Sequence, residues 1–266
     1  MELEAAVNKP KTIFLFITLI FSLACQTLFP ATPTPRDGVV INECSEVVAS
    51  IRSMQTSEVP QGLMETGIKQ GDEFNANDFF NATPNLSMQE GYVLDYIYIP
   101  DSLGSFPLLA ARPADQPPYK SSSEVPVDSE LTSYWKYMEV TDNEQGYFEY
   151  ASFLLIADQF YLVWHANYND TDVICDRESV DAIVTDINDG EFGIEFDKDQ
   201  MKQINDLQNI EPLVKLTDST AIVELVVFSK WGGFYRITYT ISRSFPHEIM
   251  DTQEENIIPY ECGIMF

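Results

Sequence analysis

Residues 220–243 read TAIVELVVFSK, then Trp231-Gly232-Gly233, then FYRITYTISR, and this stretch decides the fold class. β-branched and aromatic residues alternate with polar ones on both sides of a glycine-containing turn, which is the signature of a β-hairpin. Two registers are open. A two-residue Gly-Gly loop sets Val227 opposite Thr238. A three-residue Trp-Gly-Gly loop sets Val227 opposite Ile237, Leu225 opposite Tyr239 and Val223 opposite Ile241. A slip of one residue exchanges the buried and solvent faces of a strand. Only the second register puts both apolar sets on one face, so it is the expected one, with Gly233 in the left-handed conformation.

Upstream of the hairpin the period changes. Met201, Ile204 and Leu207 fall at helical spacing behind Asp197, which predicts a capped helix over 198–208. Val180, Ile183, Val184 and Ile187 do the same behind Asp176, over 177–188, with Asn188-Asp189-Gly190 as the stop. EFGIEF (191–196) reads as a short strand between them. The aromatic runs near 134–141, 147–156 and 160–168 read as strands. GYVLDYIYI (91–99) and Phe106 to Arg112 read as a second hairpin around the turn at 100–104. Residues 39–54 place Ile41, Cys44, Val47, Val48 and Ile51 on one stripe, an amphipathic helix. The fold class is therefore α+β: antiparallel sheets with a few packed helices, ending in the C-terminal β-hairpin 220–243. The globular region spans 39–266, with the Pro- and Ser-rich stretch 113–130 as a candidate internal boundary.

Composition limits the partners. Forty-two acidic residues against 15 basic give a net charge of −27, while 45% hydrophobic and 12% aromatic content suffices for a core. Nucleic acid is excluded, since phosphate neutralisation needs clustered Lys and Arg. Electrostatic adhesion to anionic lipid is excluded on the same ground.

The N-terminal segment points out of the cytosol. Lys9 and Lys11 precede Thr12 to Leu23, an uncharged apolar run of 12 residues. That run is shorter than the about 20 residues a spanning helix needs, and it matches the apolar core of a secretory signal. It ends in Ser22-Leu23-Ala24-Cys25, which resembles the lipobox of bacterial lipoproteins, although Ser22 stands where Leu is usual. The resemblance covers about 25 residues. It implies that residues 1–24 are a signal peptide and that Cys25 carries a diacylglyceryl thioether, with acyl chains such as palmitate. An ordinary secretory signal and an uncleaved N-terminal anchor are the other readings. Each buried methylene contributes roughly 0.8 kcal/mol, so two or more chains hold stably. Residues 25–38 then form a Pro/Thr-rich linker, with prolines at 30, 33 and 35 favouring an extended spacer. In texture the mature chain is similar to bacterial lipoproteins built as anchor, Thr-Pro spacer and α+β domain.

With Cys25 lipidated, Cys44, Cys175 and Cys262 remain. Their spacing excludes zinc knuckles and CxxC redox pairs. Cys44 opens the fold and Cys262 closes it, and chain termini often lie close together, so these two are the disulfide candidate and Cys175 a buried thiol. Three packed, reduced cysteines are the alternative.

Catalytic signatures are sparse. There is no nucleophile elbow, P-loop or G-x-G-x-x-G. The sequence nominates no cofactor and no metal: the EF-hand template fails at 186–190, because Thr185 and Ile187 fall where carboxylate or amide oxygens are required. His165 and Cys175 are near in sequence, but no thiol-protease signature surrounds them. Two functions are carried forward. The first is a lipid-anchored, extracytoplasmic, non-catalytic module that binds a protein, glycan or small ligand or helps organise the envelope. It is held to the cell membrane by its anchor, and Trp231, Phe234 and Tyr235 at the hairpin are its candidate binding surface. The second is an envelope hydrolase acting on glycans with two carboxylates, one of raised pKa in a cleft.

Overall fold

A six-stranded sheet divides the interior into two cores. The computed structural model describes residues 36–71, 73–125, 130–190 and 193–263, and Gly38–Phe266 form one compact unit. Cys25, the expected signal segment and most of the expected linker lie outside the described residues. No helix among the described residues is long and apolar enough to cross a membrane.

The described strands, in chain order, are β1 (Val39–Val40), β2 (Leu86–Met88), β3 (Tyr92–Ile99), β4 (Phe106–Pro113), β5 (Met138–Val140), β6 (Asp172–Ile174), β7 (Leu213–Leu216), β8 (Thr220–Ser229), β9 (Gly233–Ser242) and β10 (Ile249–Pro259). The α-helices are α1 (Cys44–Met54), α2 (Gln61–Thr66), α3 (Glu144–Ile156), α4 (Arg177–Asp189) and α5 (Lys198–Asp206). The large sheet runs β1-β7-β8-β9-β10, with β6 also paired to β8. β2 pairs with β5, and β3 with β4. Every pairing is antiparallel. The class is α+β, as expected.

The hairpin β8–β9 forms with its expected faces and a shifted register. Ser229 pairs with Gly233, Val227 with Tyr235, Leu225 with Ile237 and Val223 with Tyr239. The loop is three residues, Lys230-Trp231-Gly232, and not Trp231-Gly232-Gly233. A shift of two keeps side-chain parity, so the apolar face survives it. Gly233 has φ +98°, and a Cβ there would stand 2.1 Å from the Ile258 carbonyl oxygen on β10. Glycine is therefore required for β9 and β10 to meet.

One face of the sheet, with Ala221, Val223, Leu225, Val227, Ile237 and Ile241, packs on α1, α3 and the β3–β4 hairpin. The other face, with Val226, Phe228 and Phe234, packs on α4 and α5. Asp176 caps α4 through the Ser179 amide, and Asp197 with Gln200 forms a capping box on α5, both at the expected caps.

Several sequence expectations are corrected. Residues 147–156 form the buried helix α3, not a strand. Seven consecutive residues from Tyr147 to Phe153 are buried, so no stripe exists for periodicity to detect. Residues 160–168 end in a single 3₁₀ turn over Trp164–Tyr168. Within 134–141, Tyr134–Tyr137 is a 3₁₀ turn and only Met138–Val140 is strand. The described part of 191–196 is not strand. β10 lacks the alternation that would announce it.

The disulfide joins Cys44 to Cys175, and not Cys44 to Cys262. Cys44, on the first turn of α1, and Cys175, after β6, share the first core. Cys262 is a buried free thiol in the second core, on the opposite face of the sheet. Closeness of the termini was the wrong criterion, because the sheet passes between them.

The described part of 113–130 lies against the β3–β4 hairpin, where Tyr119 and Val125 pack on Ile97 and Ala110. A buried ion cluster pins it there. Asp95 accepts from Lys69 Nζ at 2.6 Å, Arg112 Nε at 2.8 Å and the Tyr119 amide at 2.9 Å.

Candidate functional site

The turn of the β8–β9 hairpin stands beside the segment 159–170, and the two enclose an open hollow of about 710 Å³. Trp164, His165, Tyr168 and Trp231 supply ring faces, while Gln159, Asn167, Asn169, Asp170 and Lys230 supply polar groups. Two of the chain's three tryptophans and one of its two histidines are here.

Backbone hydrogen bonds tie the wall at 159–168 to distant segments. The Tyr161 amide donates to the Thr56 carbonyl at 2.8 Å, Val163 to Ser105 at 2.9 Å and His165 to Leu103 at 3.0 Å. Gly104 makes this close approach feasible, since a Cβ there would lie 2.5 Å from the Ala166 nitrogen. Tyr161 and Trp164 are held at φ +54° and +56°. Bulky L-residues avoid that region, at a cost of about 1–3 kcal/mol each, and such strain concentrates at functional sites. Trp164 is nevertheless 74% exposed. The fold spends backbone strain to hold a large apolar ring out in water.

Behind the wall, Arg52 donates to the Thr171 carbonyl at 2.6 Å and to Asp172 at 2.8 Å, and also reaches Gln159. Gln159 in turn donates to Asn169 Oδ1 at 3.2 Å. Asp170 joins the two walls: its carboxylate accepts from Ser229 Oγ at 2.7 Å and from the Lys230 amide at 2.9 Å. Burial raises its pKa above the usual 3.8, and neighbouring Asp172 adds to the rise. Tyr168 packs edge-on against Trp231 with centroids 4.3 Å apart, and His165 stacks on Tyr168. Lys230 pairs with Asp186 at 3.1 Å.

Of the three surface residues expected from sequence, only Trp231 lines the hollow. Phe234 is fully buried in the second core, and Tyr235 packs against the first, because the sheet carries a core on each of its faces. Trp164 and Tyr168 were missed as site residues, since 160–168 reads as a strand whose aromatic rings belong to a core, and His165 was weighed only as a partner for Cys175. Cys175 is disulfide-bonded and so offers no nucleophile to His165.

A second depression, of about 620 Å³, carries two carboxylates, Asp158 and Glu248, among Tyr134, Trp135 and Tyr239. Burial raises the Asp158 pKa, against a hydrogen bond from Asn169 that lowers it. Tyr239 is pushed up to about 12 by burial. Among the described residues no three His, Cys, Asp or Glu side chains converge as a metal site. Comparison with protein-family models, curated proteins and solved structures finds no match to this chain.

Proposed function

We propose that this chain is a lipid-anchored extracytoplasmic binding protein that takes a glycan-type ligand in the hollow between Trp164 and Trp231. The observation that carries this reading is Trp164, strained and exposed above a hollow with a second tryptophan in its opposite wall. Sugar rings present apolar C–H faces that stack on aromatic rings, and hydroxyls that pair with amide and carboxylate groups; the hollow offers both. Its lining contains one carboxylate, Asp170, already committed to two hydrogen bonds, whereas glycoside hydrolysis uses two. Calorimetric titration with envelope oligosaccharides tests the site: wild type binds, and Trp164→Ala loses at least about tenfold in affinity, or about 1.4 kcal/mol. Equal affinity in the variant would remove the hollow from the account. The lipobox resemblance at Cys25 supports the anchor. Cys25→Ser is expected to abolish labelling by a palmitate analogue and release the protein from the membrane fraction.

A second reading rests on the Asp158–Glu248 depression, whose raised carboxyl suits a general acid. Under it, Asp158→Asn and Glu248→Gln each abolish release of reducing ends from an envelope glycan that the wild type cleaves.

A further inference from the structure

Among the described residues β10 is the long edge of the large sheet, paired by β9 alone. From Ile249 to Asn256 every residue is exposed, so neither face of this stretch is covered. The register with β9 is unbroken from Asp251 to Asn256, with irregularities only at its two ends. At about 3.3 Å per residue, this is roughly 20 Å of regular strand presenting unused backbone groups on its outer side.

Its charge is of one sign. Asp251 and Glu255 lie on the face shared with Thr240 and Arg236, and Glu254 on the face shared with Ile237. Among the described residues no Lys or Arg forms an ion pair with Asp251, Glu254 or Glu255. Carboxylates on an edge protect against self-association, since like charges directly opposite are unfavourable. They give no protection against a cationic strand, which they attract. The partner matching this edge is therefore an extended basic segment rather than a second copy of the chain.

We infer that β10 docks an extended, lysine- or arginine-rich segment of a partner protein by strand addition along residues 251–256. Backbone hydrogen bonds supply the pairing, and the three carboxylates select the charge. This surface is separate from the aromatic hollow.

The test uses the mature chain and a fluorescent ten-residue peptide alternating Lys with Thr, followed by anisotropy and by amide hydrogen exchange. Binding is expected, with new protection confined to residues 251–256. The joint variant Asp251→Lys/Glu254→Lys/Glu255→Lys changes only exposed side chains and is expected to weaken binding more than tenfold. A further peptide, N-methylated at every residue, removes the amide donors from both edges of the added strand. It is expected to fail to bind. Undiminished binding of this peptide would reduce the contact to ionic adhesion and overturn strand addition. Undiminished binding to the charge-reversed variant would overturn the inference as well. So would protection of residues 251–256 that rises with protein concentration in the absence of peptide, because the edge would then belong to a second copy.

Discussion

Asp95→Asn tests the buried ion cluster that fixes the β3–β4 hairpin to the rest of the chain. The Asp95 carboxylate accepts from Lys69 Nζ at 2.6 Å, the Tyr96 amide at 2.8 Å, Arg112 Nε at 2.8 Å and the Tyr119 amide at 2.9 Å. The side chains of Asp95 and Lys69 are each 8% exposed, and that of Arg112 11%. An asparagine keeps the volume, but it removes the charge and turns an N–H₂ toward donors. The two largely buried cations then lose the carboxylate they share, although Lys69 keeps the Tyr96 carbonyl and has Glu73 nearby. Breaking a buried pair in this way costs roughly 3–5 kcal/mol. At about 2–4 °C per kcal/mol for a unit of this size, the melting temperature falls by roughly 6–20 °C. Urea denaturation followed by circular dichroism gives the free energy. Limited trypsin digestion gives the local consequence: cleavage after Lys120 accelerates, because the segment loses its tie through the Tyr119 amide. Adding Lys69→Met to Asp95→Asn removes one of these cations and recovers part of the loss, a coupling that a double-mutant cycle measures. A loss below about 1 kcal/mol, with unchanged trypsin sensitivity, would refute the reasoning.

Non-reducing peptide mapping is expected to link Cys44 to Cys175, while Cys262 is alkylated alone after denaturation. The bonded cysteines are 131 residues apart, so Cys44→Ala/Cys175→Ala should lose up to about 5 kcal/mol by the loop-entropy relation. A Cys44–Cys262 peptide would contradict the pairing. Carbon-detected titration is expected to place Asp170 above the usual 3.8, because burial disfavours its charge, and Asp176 below it, because the Ser179 amide stabilises its charge. The signs for stability are opposite. The folded state holds the Asp170 proton more tightly than the unfolded chain, so the Asp170 contribution to stability declines as pH rises from near 3.8 through the raised value. The Asp176 contribution is present above 3.8 and is lost as pH falls through the lowered value. Asp170→Asn should remove the first component and leave the second.

The parts of this fold legible in the sequence are those that carry a regular period, a cap or a marked turn. β8 and β9 alternate, α4 and α5 carry a stripe behind a capping aspartate, and β3 and β4 flank an evident turn; each was read correctly in type. α3 was misread because it is enclosed on nearly all sides, and a buried helix and a buried strand share the same aromatic run. Its start was nonetheless marked, since Asn143 accepts from the Gly146 amide as a cap. β10 was invisible for the opposite reason: with both faces of its 249–256 stretch in water, its strand state comes from β9 and not from its own pattern. The aromatic hollow was only half legible. Trp231 was chosen for its place at a hairpin tip, but Trp164 lies on a backbone bend that no local propensity announces. That bend is held by carbonyls from residues 56, 103 and 105, far away in sequence.

The three tryptophans allow one measurement that addresses the binding claim directly. With 5-fluorotryptophan incorporated, the protein should give three ¹⁹F resonances, assigned by single Trp→Phe substitutions. Trp164 and Trp231 line the hollow, and Trp135 lines the Asp158–Glu248 depression. On addition of an envelope oligosaccharide, the account predicts that the Trp164 and Trp231 resonances shift together while Trp135 stays in place. A shift of Trp135 alone would contradict it and move the site to the paired carboxylates.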